Sequence, residues 1–415
     1  MHSDAHGDAP AETAAPRTRL LLWLLVGPLV VATVAGLFVL WPEEGASLDR
    51  GALGPTAERE RGTIVDVRRD PCIGAPSDGA SVPRCPVART RLTTGPGDGE
   101  VVDAIVPEGE GTPTFEAGDD VVVAFVEQAP EGQQYQLVDF QRGLPLLALA
   151  ALFVVAVLLA GRLRGLAALV GLAVSGVVLL TFVVPAVLAG ASPLPVAIVG
   201  ASAIMLVALF LAHGFTARSA VAVLSTAVTL GLIGLLAYTV VAVSHFTGLG
   251  SEDVAYLRSV YGEIDLRGLL LAGIVIGSLG VLDDMTVTQT SVVWAIAHTD
   301  PDASAREVYR TGARVGRDHV ASIVNTLVLA YAGASLPLLL LFNVSGADSS
   351  DVLTTELVAQ EVVRTLVGGI GIVAAAPLTT ALATFFAVND RRRGAAGARR
   401  RSRRKPGRGR AVRSG

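Results

Sequence analysis

The stretch "GSLGVLDDMTVTQTSVVW", from Gly277 to Trp294, places two adjacent aspartates inside a long apolar run. The run extends from about Leu269 to Ala297, and roughly 20 apolar residues are enough for a helix to cross a bilayer. A charged side chain at the centre of a bilayer costs about 2.5–3.5 kcal/mol on insertion scales. Asp283 and Asp284 therefore need protein partners, bound cations or protons.

The composition predicts an α-helical polytopic membrane protein. Apolar residues make up 51% of the chain and charged residues only 17%, which is unlike an ordinary soluble domain. Eight segments are predicted to span the membrane: Leu20–Leu40, Leu144–Ala160, Leu166–Leu188, Leu194–Ala212, Ser219–Val243, Leu269–Ala297, Val320–Phe342 and Leu366–Val388. The first is expected to be an uncleaved anchor, because its apolar run is longer than that of a signal peptide and no A-x-A site follows.

The distribution of Arg and Lys predicts the orientation, because cytoplasmic loops retain these residues. With eight crossings, the segments that share a side with both termini hold 21 bases and eight acids, and the opposite segments hold 12 bases and 27 acids. Both termini are therefore predicted to be cytoplasmic, in a plasma membrane. The predicted order is a polar N-terminus (1–19), an anchor (20–41), an extracytoplasmic β-rich domain (42–142), a seven-helix bundle (143–388) and a basic tail (389–415).

The segment between the first two predicted helices has a different pattern. Alternating and β-branched runs, "GTIVDVRR", "VARTRLTT", "GEVVDAIVP", "DDVVVAFVEQ" and "QYQLVDF", are separated by turns rich in Pro, Gly and Asp. They predict a small β-barrel of about five strands, OB-like or SH3-like. Its few aromatic residues and acidic character disfavour nucleic acid as a partner. A spacer or protein-interaction module is the favoured interpretation.

Cys72 and Cys85 are the only cysteines, and they flank a loop in this segment. An extracytoplasmic location permits a disulfide between them, and two free thiols are the alternative. Closing this loop would add about 3 kcal/mol in the chain-entropy model. The loop contains no histidine, so a zinc site is not expected.

The polar residues of the opening stretch form two neighbouring stripes on a helix. Asp283, Thr286 and Thr290 lie on one stripe, and Asp284, Thr288 and Ser291 lie on the next, whereas Gln289 lies outside both. So broad a polar surface requires a helix surrounded by protein, or two half-helices that meet at this point. The site is therefore expected in the interior of the bundle.

Partners for the aspartates are expected from other helices. On the seventh predicted helix, Ser322, Asn325 and Thr326 share a face, and Asn325 is the best candidate. The last predicted helix adds three threonines, for which a hydrogen bond to the carbonyl one turn back is the simpler interpretation: Thr379, Thr380 and Thr384.

Several enzyme classes are not supported by the sequence. An intramembrane aspartyl protease needs its two aspartates on different helices, whereas Asp283 and Asp284 are adjacent. The chain has neither a P-loop nor an HExxH pattern, so ATP hydrolysis and zinc proteolysis are not indicated. An unrecognised intramembrane enzyme stays a third, weaker hypothesis. The remaining carboxylates, hydroxyls and amides suit H⁺, Na⁺ or a divalent cation.

Two motifs give the chain a family resemblance. The sequences "GVLDDMTVTQ" and "RDHVASIVNTLVLAYAGASLP", with an anchor helix, an outer β-domain and a helical bundle, resemble the YibE/F family of bacterial multi-pass membrane proteins. The resemblance covers roughly Arg61 to Val388. It implies a bacterial membrane location and no particular activity. A single aspartate matches Asp284 in some branches, and Asn325 and Thr326 match the second motif.

The leading hypothesis is a secondary transporter or permease without a cofactor other than bound H⁺, Na⁺ or a divalent cation. Its site is predicted from residues of the two motifs: Asp283, Asp284, Thr286, Thr288, Gln289, Asn325 and Thr326. The alternative is a non-catalytic envelope scaffold or assembly factor whose outer β-domain recruits partners. Envelope proteins or a second copy of the chain are the protein partners considered. The aspartate pair is expected to hold at least one proton at neutral pH when no cation is bound.

The chain ends in a strongly basic segment. From Asn389 onward it holds 12 basic residues and one acid, so this segment carries +11 and the rest carries −15 of the total of −4. It follows a membrane helix directly and contains no aromatic residue. We expect it to be disordered and to lie near anionic lipid, with no nucleic acid as partner.

Overall fold

The computed structural model describes residues 16–42, 58–71, 84–109, 111–127, 129–130, 132–250, 252–261, 264–344 and 349–403. The predicted N-terminal segment before residue 16 lies outside them. The chain divides into two compact units, each described by itself. One unit comprises Met1–Ala46 and Leu163–Gly415, and the other comprises Ser47–Arg162.

The smaller unit contains five strands, and each of the five predicted runs forms one of them. Their bounds are β1 Glu58–Pro71, β2 Arg84–Leu92, β3 Val101–Ile105, β4 Asp120–Phe125 and β5 Tyr135–Phe140. The sheet closes on itself in the order β1-β2-β3-β5-β4, and β4 returns to pair with β1. Alternate side chains, including Ile64, Val121 and Val123, point inward and form its core. The choice between an OB-like and an SH3-like arrangement stays a prediction.

Cys85 lies on β2 opposite Asp70 of β1. It is a disulfide-bonded cysteine. The expected partner, Cys72, lies outside the described residues, so the Cys72–Cys85 pairing stays a prediction.

The helices are numbered in chain order. Their bounds are α1 Pro16–Val39, α2 Gly143–Val178, a π-helix Leu179–Val183, α3 Val184–Leu188, α4 Pro193–His213, α5 Ala217–Val243, α6 Glu252–Tyr261, α7 Leu266–Thr299, α8 Ala305–Ala334, α9 Leu336–Val344, α10 Ser349–Thr354 and α11 Glu356–Arg403. Local sequence sets several of these starts: Thr216 caps α5, Asp265 caps α7, and Ser304 forms a capping box with Glu307 at α8.

In the described part of the chain, six helices are long and apolar enough to cross a membrane, which supports a multi-pass membrane protein. Eight crossings were predicted from the sequence. Part of the difference lies in Gly143–Leu188, which counts as one span of 46 residues although two helices meet within it. This is more than twice the roughly 20 residues that one crossing needs. The backbone is non-helical at Arg162, where the two predicted segments meet.

The predicted crossing Val320–Phe342 accounts for the other part of the difference. It is divided between α8 and α9, which meet at Ser335, and neither is among the six apolar helices.

The basic tail also differs from its prediction, because α11 continues to Arg403. Residues 389–403 are helical since alanine and arginine favour helix and no proline occurs before Pro406. Residues 404–415 lie outside the described part.

Helix α7 occupies the centre of the larger unit. It packs against α4, α5, α8 and α11, and its buried apolar side chains include Ile274, Leu282 and Met285. Helix α5 also packs directly against α11. The polar stretch of α7 is therefore positioned by three neighbours: α5, α8 and α11.

Candidate functional site

Helix α7 is continuous through the aspartate pair. Its 34 residues, Leu266–Thr299, are helical throughout, so the alternative of two half-helices does not describe it. Asp265 begins the helix by accepting a hydrogen bond from the Gly268 amide at 2.9 Å. The polar groups of the motif are thus held on one rigid element.

The two predicted stripes of α7 lie in different environments. Thr286 and Thr290 of the first stripe are buried, and Asp283 is half-buried. Asp284, Thr288 and Ser291 of the second stripe are exposed on the surface of the single chain. Only the first stripe therefore lies in the interior expected for the whole motif.

The Asp283 carboxylate has an unusual environment. Its Oδ1 atom is buried and has no hydrogen-bond partner among the described residues. The described ion pairs do not include Asp283 either. A buried carboxylate oxygen normally accepts a hydrogen bond, because burying a charged group without a donor costs several kcal/mol. Asp283 is therefore an acceptor available for a proton or a cation.

One turn further along, Thr286 connects α7 to α5. Its hydroxyl lies 2.8 Å from the hydroxyl of Thr226, and both side chains are fully buried. It also donates a 3.3 Å hydrogen bond to the backbone carbonyl of Asp283. Ser225 and Thr229 are buried beside Thr226 on α5, and each donates to a carbonyl one turn back. These three α5 residues were missed, although the spacing in "STAVT" is a readable polar stripe.

Gln289 connects α7 to α8 and α11. Its side-chain amide donates to the Gly312 carbonyl at 2.8 Å and to the Thr380 hydroxyl at 2.7 Å. Gly312 and Gly316 allow this approach, since a Cβ at Gly316 would lie 3.1 Å from the Gln289 amide. The residue that fell outside both predicted stripes is thus the one that joins three helices.

Helix α11 contributes three buried threonines. Thr380 donates to the Ala376 carbonyl at 2.6 Å, which is the back-bond expected from the sequence, and it also accepts from Gln289. The hydroxyls of Thr379 and Thr384, like that of Thr290 on α7, are buried without a partner among the described residues. Together with the α5 hydroxyls they form a polar interior, which we call the α5/α7/α11 seam.

The two predicted residues of α8 are not part of this seam. Asn325 and Thr326 are exposed, and the Thr326 hydroxyl bonds to the Ser322 carbonyl one turn back at 3.1 Å. They lie on an exposed face of α8 that also includes Ser322.

Among the described residues there is no group of three or more His, Cys, Asp or Glu side chains that could hold a metal ion. Any cation at Asp283 would depend on hydroxyl and carbonyl oxygens.

The chain matches the model of a known protein family. The family model described as "YibE/F-like protein" matches residues 149–389, which is more than half of the chain and includes the whole seam. No curated protein matches, and no solved structure matches.

Proposed function

This chain belongs to the YibE/F-like family, and we propose that it is a secondary transporter of the permease type with a proton or cation site at Asp283. The observation that carries the proposal is the buried, unpartnered Oδ1 of Asp283 in the middle of a long apolar helix. Ionisable residues inside membrane segments characteristically belong to ion pathways and proton relays. The site acts in the plasma membrane of a bacterial cell.

The α5/α7/α11 seam supplies the neighbouring groups for such a site. On α7 it extends from Asp283 to Gln289, which are six positions and about 9 Å apart along the axis. Hydroxyl oxygens of Thr226 and Thr286 suit H⁺ and hard cations. The hydroxyls of Thr290, Thr379 and Thr384 are buried without a partner among the described residues, so they are further candidate ligands.

Burial in the seam is the reason why we keep some of the predicted residues in the proposed site and leave others out. Asp283, Thr286 and Gln289 belong to the proposed site, with Thr226 and Thr380 added from α5 and α11. Asp284, Thr288, Asn325 and Thr326 are placed outside it because they are exposed on α7 and α8. In this proposal Asp283 binds the ion or proton, and Gln289 and Thr286 hold the helices that surround it.

The test is ion flux into proteoliposomes across a panel of cations and pH gradients. Asp283→Asn keeps the shape and part of the hydrogen bonding but cannot titrate, so proton-coupled or cation flux should be lost. Asp284→Asn is the matched control on the adjacent, exposed residue, and it should retain most of the flux. Equal loss in both variants, or no flux in the parent with any ion, contradicts the proposal.

The envelope scaffold is the second candidate, and a different observation favours it. The exposed faces of α7 and α8 hold Asp284, Thr288 and Ser291 on one helix and Ser322 and Asn325 on the other. Polar residues on membrane helices usually face protein, because lipid offers them no hydrogen bonds. A scaffold would use these faces for assembly, so Asp284→Asn and Asn325→Leu should change its oligomeric state while Asp283→Asn should not.

A further inference from the structure

A second polar region lies where α4 ends and α5 begins. A cavity of about 290 Å³ opens there between α2, α4, α5 and α7. Its polar lining consists of three basic side chains and three hydroxyls: Arg164, His213, Arg218, Thr216, Ser219 and Ser291. The charge distribution of the sequence predicts that this end of the bundle is cytoplasmic.

The charge of the cavity is one-sided. Arg164 and Arg218 both line it, and none of its lining residues in the described part of the chain is acidic. Neither guanidinium takes part in the ion pairs of the described residues. Two arginines around one small space repel each other unless an anion lies between them. The cavity is therefore electrostatically suited to a negatively charged ligand.

The backbone adds to this preference. Thr216 is the N-cap of α5, a helix of 27 residues, and its side chain accepts a hydrogen bond from the Ser219 amide at 3.1 Å. The first turn of α5 thus directs the positive end of a long helix toward the cavity. The Ser219 hydroxyl is 2.9 Å from that of Thr216, so two hydroxyls stand beside the same helix end.

We propose that this cavity binds the phosphate group of an anionic ligand, either free phosphate or the phosphodiester headgroup of an acidic lipid. Guanidinium groups pair with phosphate oxygens in a bidentate geometry that few other anions match. The volume lies at the lower end of ligand sites, so it suits a phosphate group and not a large molecule. Basic cavities between membrane helices on the cytoplasmic side are known lipid-headgroup sites.

The cavity begins one turn from the proposed ion site, because Val287, which lines it, lies four residues after Asp283 on α7, about 6 Å along the axis. Its polar residue on α7, Ser291, lies one turn further on. The phosphate site does not depend on transport, because its evidence is the cavity, the basic side chains and the start of α5. Loss of ion flux in Asp283→Asn and loss of phosphate binding in the cavity variants are therefore independent results.

The first experiment measures phosphate binding by the full-length protein in nanodiscs of phosphatidylcholine. Inorganic phosphate is titrated calorimetrically into the parent, Arg164→Gln and Arg218→Gln. Each variant removes one charge-assisted pair, so binding should weaken about tenfold or more. Arg314→Gln is the matched control, because Arg314 is an exposed arginine of α8 that does not line the cavity.

A second arm distinguishes the source of the phosphate group. The same proteins are prepared in nanodiscs that contain phosphatidylglycerol, and lipid retained by the protein is counted by native mass spectrometry. A lipid site predicts that retention falls in Arg164→Gln and Arg218→Gln and that free phosphate does not bind. A free-anion site predicts the reverse. The proposal is overturned if neither ligand distinguishes the cavity variants from Arg314→Gln.

A thiol-protection measurement keeps the test decisive if the arginine variants fail to fold. Ser291→Cys places a thiol in the cavity, and Thr299→Cys places one on the exposed end of the same helix. Phosphate or phosphatidylglycerol should slow the reaction of Ser291→Cys with an anionic thiol reagent severalfold and leave Thr299→Cys unchanged. Equal rates with and without both ligands would refute the site.

Discussion

At the scale of single residues, Glu60 on β1 is a carboxylate in an unfavourable position. Its side chain is 5% exposed, and its Oε2 atom has no hydrogen-bond partner among the described residues. It packs against the turn at Gly95, whose positive φ of 91° is readily adopted by glycine. Burial, followed by the nearby charges of Glu58 and Glu100, raises the pKa of Glu60 above its ordinary value.

This raised pKa predicts how the stability of the β-unit depends on pH. The folded unit holds the Glu60 proton more tightly than the unfolded chain does, so the stabilisation is complete below the ordinary pKa of 4.5. It is lost as pH rises through the raised pKa. Amide-exchange protection of β1 in the full-length protein should therefore fall as pH rises above 4.5.

Two variants isolate the contribution of Glu60. Glu60→Gln removes the titration, so the protection of β1 should become nearly independent of pH over the same window. Glu116→Gln changes an exposed carboxylate in the turn before β4 and should leave the pH dependence of the parent in place. Protection that rises with pH in the parent would show that the pKa of Glu60 is not raised.

The residues of the opening stretch show what a sequence can and cannot predict at this scale. Helical periodicity alone separates Asp283 and Thr286 from Asp284 and Thr288. Which stripe faces inward depends on the neighbouring helices, because Thr226 on α5 and Thr380 on α11 supply the partners. Those partners are 60 and 91 residues away from their α7 contacts, so no local pattern could identify them.

At the scale of elements, two glycines of α11 make a matched pair. A Cβ at Gly371 would collide with the side chain of Ile233 on α5, which is fully buried and has no room to move. A Cβ at Gly369, two positions earlier and on the opposite side of α11, would meet nothing within 4 Å. Close packing of α5 on α11 therefore requires glycine at one position and not at the other.

The pair predicts opposite effects of the same substitution. Gly369→Ala should raise the free energy of unfolding by about 0.5–1 kcal/mol, because alanine favours helix over glycine. Gly371→Ala gains the same propensity but overpacks the α5–α11 contact, which costs about 1–3 kcal/mol. Thermal unfolding in detergent should therefore shift upward for the first variant and downward for the second. Equal upward shifts would mean that α5 and α11 pack less closely than described.

Arg391 connects α11 to the turn between α7 and α8. Its guanidinium donates to the carbonyls of Ala297 at 3.1 Å, Asp300 at 2.7 Å and Ala303 at 2.6 Å. These carbonyls belong to the end of α7 and the following turn, where helical carbonyls lack internal partners. Arg391→Gln should therefore increase amide exchange and proteolysis around residues 297–303. Arg392→Gln alters the adjacent exposed arginine and should leave both unchanged.

The positions of the strands were predicted better than the ends of the helices, for a physical reason. The five strands follow from alternation, which is a local property of the sequence. The separation of α8 from α9 at Ser335 and the continuation of α11 to Arg403 were not predicted. Apolar content indicated a crossing at Val320–Phe342 and charge indicated disorder after Val388, but neither property determines where helical hydrogen bonding stops.

At the scale of the whole molecule, the number of crossings and the distribution of charge constrain each other. If each of the six apolar helices crossed once and nothing else did, both termini would still share a side. The turn at Arg218 and the arginines from Arg306 to Arg317 would then lie on the opposite side from the basic tail. Eight crossings, with Gly143–Leu188 divided at Arg162 and α8–α9 crossing once, bring all of them to the same side.

The two arrangements differ in where α6 and the start of α8 lie, and this gives a direct test. Ser259 on α6 and Thr311 on α8 are both exposed, so a thiol introduced at either position is accessible from its own side. With eight crossings, Ser259→Cys should react with a membrane-impermeant reagent in intact cells and Thr311→Cys only after the cells are opened. Six crossings require the opposite result for both. The parent chain is the control, because Cys85 is already in a disulfide.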